Sequence, residues 1–112
     1  MEVKLIYYTQ KEIIDDEDFF FSGEISIGPE NVAGAYEVYD FNIISIKRLY
    51  NDYQECEPVG IGFMLNRGWV ISKYFNESVI EAEINAIIHR CESDDEEETY
   101  RKIDCYFRRR EE

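Results

Sequence analysis

The chain has 112 residues, 45% hydrophobic and 15% aromatic, with 12 basic and 25 acidic side chains and a formal charge of −13. That length suits one domain spanning residues 1–112 with a single modest core, and the aromatic content excludes a disordered acidic tail. The charge repels nucleic acid and anionic lipid and favours basic protein partners.

No apolar run approaches membrane-spanning length, and the opening MEVKLIYYTQKE has no basic start before an apolar stretch, so neither a span nor a signal peptide is expected. The cysteines Cys56, Cys91 and Cys105 are odd in number and lack CxxC spacing, which fits reduced thiols and a cytoplasmic location. Acidity is uneven. Residues 1–60 hold 4 basic and 13 acidic side chains, whereas residues 61–112 hold 8 and 12.

Residues 2–8 set Val3, Leu5 and Tyr7 against Lys4, Ile6 and Tyr8, a period of two that predicts a strand. Residues 9–18 are polar and acidic around Ile13 and Ile14 and read as a loop or one helical turn. Alternation resumes over 19–28 with Phe19, Phe21, Ile25 and Ile27, and Gly23 marks a bulge or bend. Gly28-Pro29-Glu30-Asn31 is a turn. Residues 35–44 place Tyr39, Phe41 and Ile43 opposite Tyr36, Val38 and Asp40, as a paired central strand would. Ser45 is placed to cap a short helix carrying Ile46, Leu49 and Tyr50.

Residues 51–60 read as an acidic loop, and 61–65 and 68–75 as apolar strands. Asn66-Arg67-Gly68 is either a tight hairpin or a bulge between them. The clearest helix spans 77–91, with Asn76 as N-cap and one stripe of Ile80, Ile84, Ile87, Ile88 and Cys91. The acidic run from Glu92 to Glu98 then starts a second helix. Asp95 and Glu98 have the spacing of a capping box, and Tyr100, Ile103, Tyr106 and Phe107 form its stripe. Glu96, Glu97 and Glu98 oppose the helix dipole in the first turn. Capping does not need every carboxylate of the run, so some are solvated or spare for a partner. The predicted fold class is α+β: an antiparallel sheet of four or five strands packed on one face by two C-terminal helices.

Catalytic signals are weak. His89 is the only histidine, and Cys91, two residues away on a helix, points elsewhere. Zinc spacing is absent. Asp15-Asp16-Glu17-Asp18 is followed by phenylalanines where a calcium loop needs oxygen ligands and a glycine. No glycine belongs to a phosphate-cradling pattern. Neither an enzyme, a cofactor nor a metal site is expected, and Cys91 and Cys105 are expected as small core residues.

An ordered series of short motifs remains. It comprises Ile27-Gly28-Pro29, Gly34-Ala35, Tyr39-Asp40-Phe41, Ile43-Ile44-Ser45 with Leu49, Arg67-Gly68, Tyr74-Phe75, Ile80/Ile84/Ile88, Cys91-Glu92, Glu98-x-Tyr100-x-Lys102-Ile103 and Tyr106-Phe107. Over residues 20–107 this series resembles the bacterial immunity proteins that guard cells carrying polymorphic toxins, including contact-dependent growth inhibition systems, of the small acidic family eight. Such proteins often finish with an aromatic–acidic segment after the last helix. This chain has Phe107-Arg-Arg-Arg-Glu-Glu112 instead, which leaves a final strand open.

The resemblance implies a cytoplasmic inhibitor that binds one cognate toxin domain. Many such toxins are nucleases with basic clefts, which an acidic inhibitor can occupy with fast, salt-sensitive association. The candidate toxin-binding residues are the acids Asp15, Asp16, Glu17 and Asp18 with Asp52, Glu55 and Glu57, and the aromatics Tyr50 and Tyr53. Phe19 is a further candidate anchor with core packing as its alternative. Glu92, Asp94 and Asp95 form a second candidate patch. Neither nucleic acid nor membrane is an expected partner. An alternative reading, an acidic nucleic-acid mimic inhibiting a DNA-binding host enzyme, needs carboxylates along a stripe, whereas these cluster. A small hydrolase or ligand-binding module lacks its constellation.

Overall fold

The computed structural model describes residues 1–55 and 67–110, with backbone alone at 53–55. Strands β1 (Glu2–Asp15) and β2 (Asp18–Gly28) form a long antiparallel hairpin, and β3 (Glu37–Ser45) pairs antiparallel with β2. The chain continues through helix α1 (Ile46–Glu55), strand β4 (Trp69–Ser72), helices α2 (Glu77–Cys91) and α3 (Glu96–Ile103), and strand β5 (Arg108–Arg109). The sheet order is β1-β2-β3-β4, with β5 also pairing β3. The fold is α+β as expected, with two C-terminal helices over the sheet.

One pairing departs from the antiparallel expectation. β4 lies parallel to β3, from Asn42↔Trp69 to Ser45↔Ser72. Parallel neighbours need a crossover rather than a tight turn, and α1 lies in that crossover. The final strand is present: Arg109 pairs with Tyr39 and Arg108 with Asp40.

The segment read as a polar loop at 9–18 is instead mostly strand, since β1 runs to Asp15 before a two-residue turn at Asp16-Glu17. Three register shifts in β1, between Val3 and Leu5, Tyr8 and Gln10, and Ile13 and Asp15, each add one unpaired residue. A bulge reverses which residues face inward. Val3 is therefore separated from Leu5 and Tyr7: Val3, Ile6 and Tyr8 pack on the core, and Leu5 and Tyr7 point away from it. Gly23 lies opposite Tyr8, beside the second bulge. A Cβ there would collide with the Tyr7 carbonyl oxygen and the Phe41 ring, so this close strand approach requires glycine.

The core lies between one face of the sheet and the C-terminal helices. Phe19, Phe21, Ile25 and Ile27 of β2 and Tyr39, Phe41 and Ile43 of β3 meet Ile80, Ile84, Ile88 and Cys91 of α2. Tyr100, Ile103 and Phe107 complete it. Fully burying such a side chain contributes roughly 1.5–3 kcal/mol. Phe75 inserts its ring 4.8 Å from Phe21 and 5.6 Å from Phe19.

Asn76 caps α2 by accepting a hydrogen bond from the Val79 amide at 3.2 Å. Asp95 caps α3 by accepting from the Glu97 amide at 3.1 Å. Glu98 does not complete a capping box; it pairs with Arg101, and the buried Thr99 hydroxyl bonds back to the Asp95 carbonyl and receives the Ser93 amide. α3 ends at Ile103, so Tyr106 falls in the following turn, 45% exposed, while Phe107 remains in the core. The segment read as a loop at 51–60 begins as helix, because α1 continues to Glu55; the rest of that loop and the strand expected at 61–65 lie outside the described residues. The strand expected at 68–75 is limited to Trp69–Ser72.

The cysteines divide. Cys91 is buried, and burial pushes its thiol above the ordinary value, while Cys105 is exposed, contrary to expectation, because α3 ends before it. On the folded protein a thiol reagent at mildly alkaline pH is expected to label Cys105 and spare Cys91, since only thiolate reacts. Peptide mass spectrometry checks this. Rapid labelling of Cys91 without unfolding would contradict the packing of α2.

Candidate functional site

The acids of the β1–β2 turn are organised by the turn itself. Asp15 Oδ1 accepts the Glu17 amide at 2.8 Å, the local bond that makes aspartate a turn former. The Asp16 carbonyl accepts the Phe75 amide at 2.7 Å, which fastens the hairpin tip to the chain entering α2. Asp16 is exposed, whereas Asp18 is buried, 8% exposed.

Asp18 is matched by Arg48, a residue the sequence did not single out, and Ser45 positions it. Ser45 Oγ accepts both the Arg48 amide at 3.0 Å and the Phe19 amide at 3.2 Å. One hydroxyl thus caps α1 and ties it to the start of β2. This places the Arg48 guanidinium among three carboxylates: Glu12 at 3.5 Å, Asp18 at 3.7 Å and Asp52 at 3.7 Å. These distances are ion pairs rather than close hydrogen bonds, and Asp18 Oδ1 has no hydrogen-bond donor among the described residues. Of the predicted acids, Asp18 and Asp52, far apart in sequence, therefore meet at Arg48, together with Glu12. The available signal was that Arg48 is the only arginine in the first 60 residues.

Tyr50 is 61% exposed on α1. The side chains of Tyr53 and Glu55, and all of Glu57, lie outside the described residues. Phe19 is fully buried, so the core-packing alternative holds for it.

The second patch is elsewhere. Glu92 Oε1 lies 2.6 Å from the Met1 amine and 3.8 Å from His89 Nδ1. Hydrogen bonding to that amine holds the Glu92 carboxyl below the usual carboxylate range. Asp95 is committed to capping α3, and Asp94 is exposed. Met1 begins the chain at one end of β1 and Asp15 closes the other, so β1 separates the two patches by about 40 Å at ~3.3 Å per residue.

A cleft of about 740 Å³ lies between β5 and the end of α3, lined in part by Tyr36, Glu37, Arg67, Glu97, Asp104 and Arg109. Four of its charged residues, Arg67, Glu97, Asp104 and Arg109, are occupied with one another. Asp104 grips Arg109 through two bonds of 3.0 and 2.7 Å, Glu97 adds an ion pair at 3.5 Å, and Arg67 donates to the Asp104 carbonyl at 2.9 Å. The Arg109 guanidinium also stands 5.9 and 5.4 Å from the Tyr39 and Tyr100 rings, fixing β5 to the core. The cleft thus reads as the structural join of β5 to α3. Among the described residues, no three His, Cys, Asp or Glu side chains are grouped to hold a metal, and no helix is long and apolar enough to cross a membrane.

No curated protein and no solved structure shows significant similarity to the chain. The model of one protein family, described as Immunity protein 8, matches residues 2–109 and so takes in every described strand and helix. The chain belongs to the Immunity protein 8 family.

Proposed function

We propose that this immunity protein neutralises its toxin in the cytoplasm by non-enzymatic binding, and that the toxin is a basic domain, most simply a nuclease. Membership of the family carries the toxin-neutralising role. The basic partner rests on one observation. Glu12 of β1, Asp18 of β2 and Asp52 of α1 converge on a single arginine, leaving Asp15, Asp16 and Glu17 of the hairpin tip in excess. An acidic surface of this kind accelerates encounter with a positive cleft and discriminates against anionic partners. The grouping of the acids around a turn, rather than along a stripe of phosphate-like spacing, supports the toxin-binding reading over a nucleic-acid mimic that inhibits a DNA-binding host enzyme.

Co-expression tests the role. The domain encoded by a toxin reading frame immediately upstream is expected to arrest growth alone, and this chain is expected to restore growth. Persistent arrest with the chain folded and abundant would refute the proposal. A nuclease target is checked separately by incubating the purified toxin with DNA or RNA. Degradation that stops on adding the chain is the expected result, and intact nucleic acid throughout would remove the nuclease assignment alone.

A further inference from the structure

α2 and α3 cover one face of the sheet, and the pairing register identifies what lies on the other. Cross-strand partners share a face. Leu5 pairs with Ser26, and Tyr7 with Glu24, which in turn pairs with Asp40. None of these belongs to the core cluster. The first β1 bulge turns Leu5 and Tyr7 onto this second face, where each is 59% exposed. α1 lies over one end of the face, where Arg48 reaches Glu12 and Asp18. Beyond it, Arg110 bridges Glu24 and Asp40, at 2.5 and 2.9 Å.

We infer that this second face, with Leu5 and Tyr7 as apolar anchors, is the surface on which the basic toxin domain docks. The inference rests on the toxin-neutralising reading and adds the location. Two neighbouring large side chains held outward on a rigid strand are the kind of anchor that dominates interface energetics, more so with an aromatic among them. The charge around them selects the occupant. Arg48 faces three carboxylates, while Arg110 and the exposed Arg108 balance Glu24 and Asp40, so the face as a whole keeps negative charge, gathered at its Arg48 end. Glu12 lies on this face, and Asp15 ends the same strand, so the face runs into the acidic hairpin tip. A second copy of this chain fits poorly, because two molecules of charge −13 repel. Strand addition to β1 is also disfavoured, because three bulges interrupt its edge. The partner therefore meets side chains across the face, with basic groups opposite the acids and an apolar patch over Leu5 and Tyr7.

The test uses the full chain and the toxin domain from the adjacent upstream frame, inactivated at its active site, with binding measured by titration. Absence of wild-type binding would overturn both the toxin-neutralising reading and this surface. Given wild-type binding, Leu5→Asp and Tyr7→Asp are each expected to weaken affinity by at least tenfold. Val79→Asp, on the outer side of α2 where Val79 is 53% exposed, is expected to change it less than twofold. Wild-type affinity in both Leu5→Asp and Tyr7→Asp, with unchanged melting, would overturn the surface and leave the role standing. Hydroxyl-radical footprinting of the wild-type complex avoids any folding defect in the variants. Tyr7 should become protected while Tyr106 stays reactive, and an unprotected Tyr7 would overturn the inference. So would sedimentation of the free chain as a dimer that already shields Tyr7.

Discussion

Arg48→Ala is expected to lower the unfolding free energy by about 2–3 kcal/mol, below the largest losses for fully buried pairs because the Arg48 side chain is 23% exposed. The loss has one main source. Asp18 is buried, its Oδ1 accepts no hydrogen bond among the described residues, and Arg48 is its ion-pair partner there. Removing the guanidinium leaves a buried carboxylate facing Glu12 and Asp52 with nothing between them. Asp18→Asn in the Arg48→Ala background is expected to recover about 1 kcal/mol or more, because the amide carries no charge to strand. Urea unfolding of the four proteins of the cycle measures the coupling. Added sodium chloride should help Arg48→Ala more than wild type, since salt screens the carboxylate repulsion that the mutation exposes. If Arg48→Ala unfolds within about 0.5 kcal/mol of wild type, the acids are already hydrated and the arginine does not organise them.

The sequence makes some of this architecture legible and hides the rest for definite reasons. Strand β2 keeps an unbroken period of two, so Phe19, Phe21, Ile25 and Ile27 read correctly as one face. The Ile80, Ile84, Ile88 stripe and the Asn76 cap were equally plain, because helix periodicity and capping are local properties. β1 failed where its bulges reset the alternation. Val3, Leu5 and Tyr7 look equivalent by spacing, yet Val3 packs inward and the other two are exposed. A bulge is specified by the partner strand, here by the close approach at Gly23, and one strand's sequence does not contain it. The parallel placement of β4 was hidden for a similar reason, since Trp69–Ser72 would satisfy either direction of pairing. The candidate acids were visible as a run. Asp15 forms its turn by a local bond, but the pairing of buried Asp18 depends on Ser45, which accepts the amide of Phe19, 26 positions away, and brings Arg48 across.

That division sharpens what charge reversal can test. Reversing all of Asp15 to Asp18 would disturb the turn and the Arg48 pairs together, so a loss of binding would not separate electrostatics from folding. Asp16→Lys with Glu17→Lys changes two charges at the tip and leaves the Asp15 and Asp18 side-chain contacts in place. In low salt the double variant is expected to associate with the toxin domain roughly ten- to a hundredfold more slowly, while dissociation changes less than about threefold. Tip charges act chiefly on encounter rather than on the docked contacts. Raising sodium chloride should slow the wild type towards the variant, because screening removes the same attraction. Asp94→Lys is the informative comparison. Asp94 lies in the link between α2 and α3, the helices on the opposite side of the sheet from Leu5 and Tyr7, and so falls outside an interface on the second face. Asp94→Lys should therefore leave association nearly unchanged at physiological salt, where the screening length is about 8 Å. Stopped-flow mixing gives both rates. If Asp94→Lys slows association as strongly and Asp16→Lys/Glu17→Lys does not, the toxin approaches the Met1 and Glu92 end of the strand, and the acids gathered around Arg48 serve the fold alone.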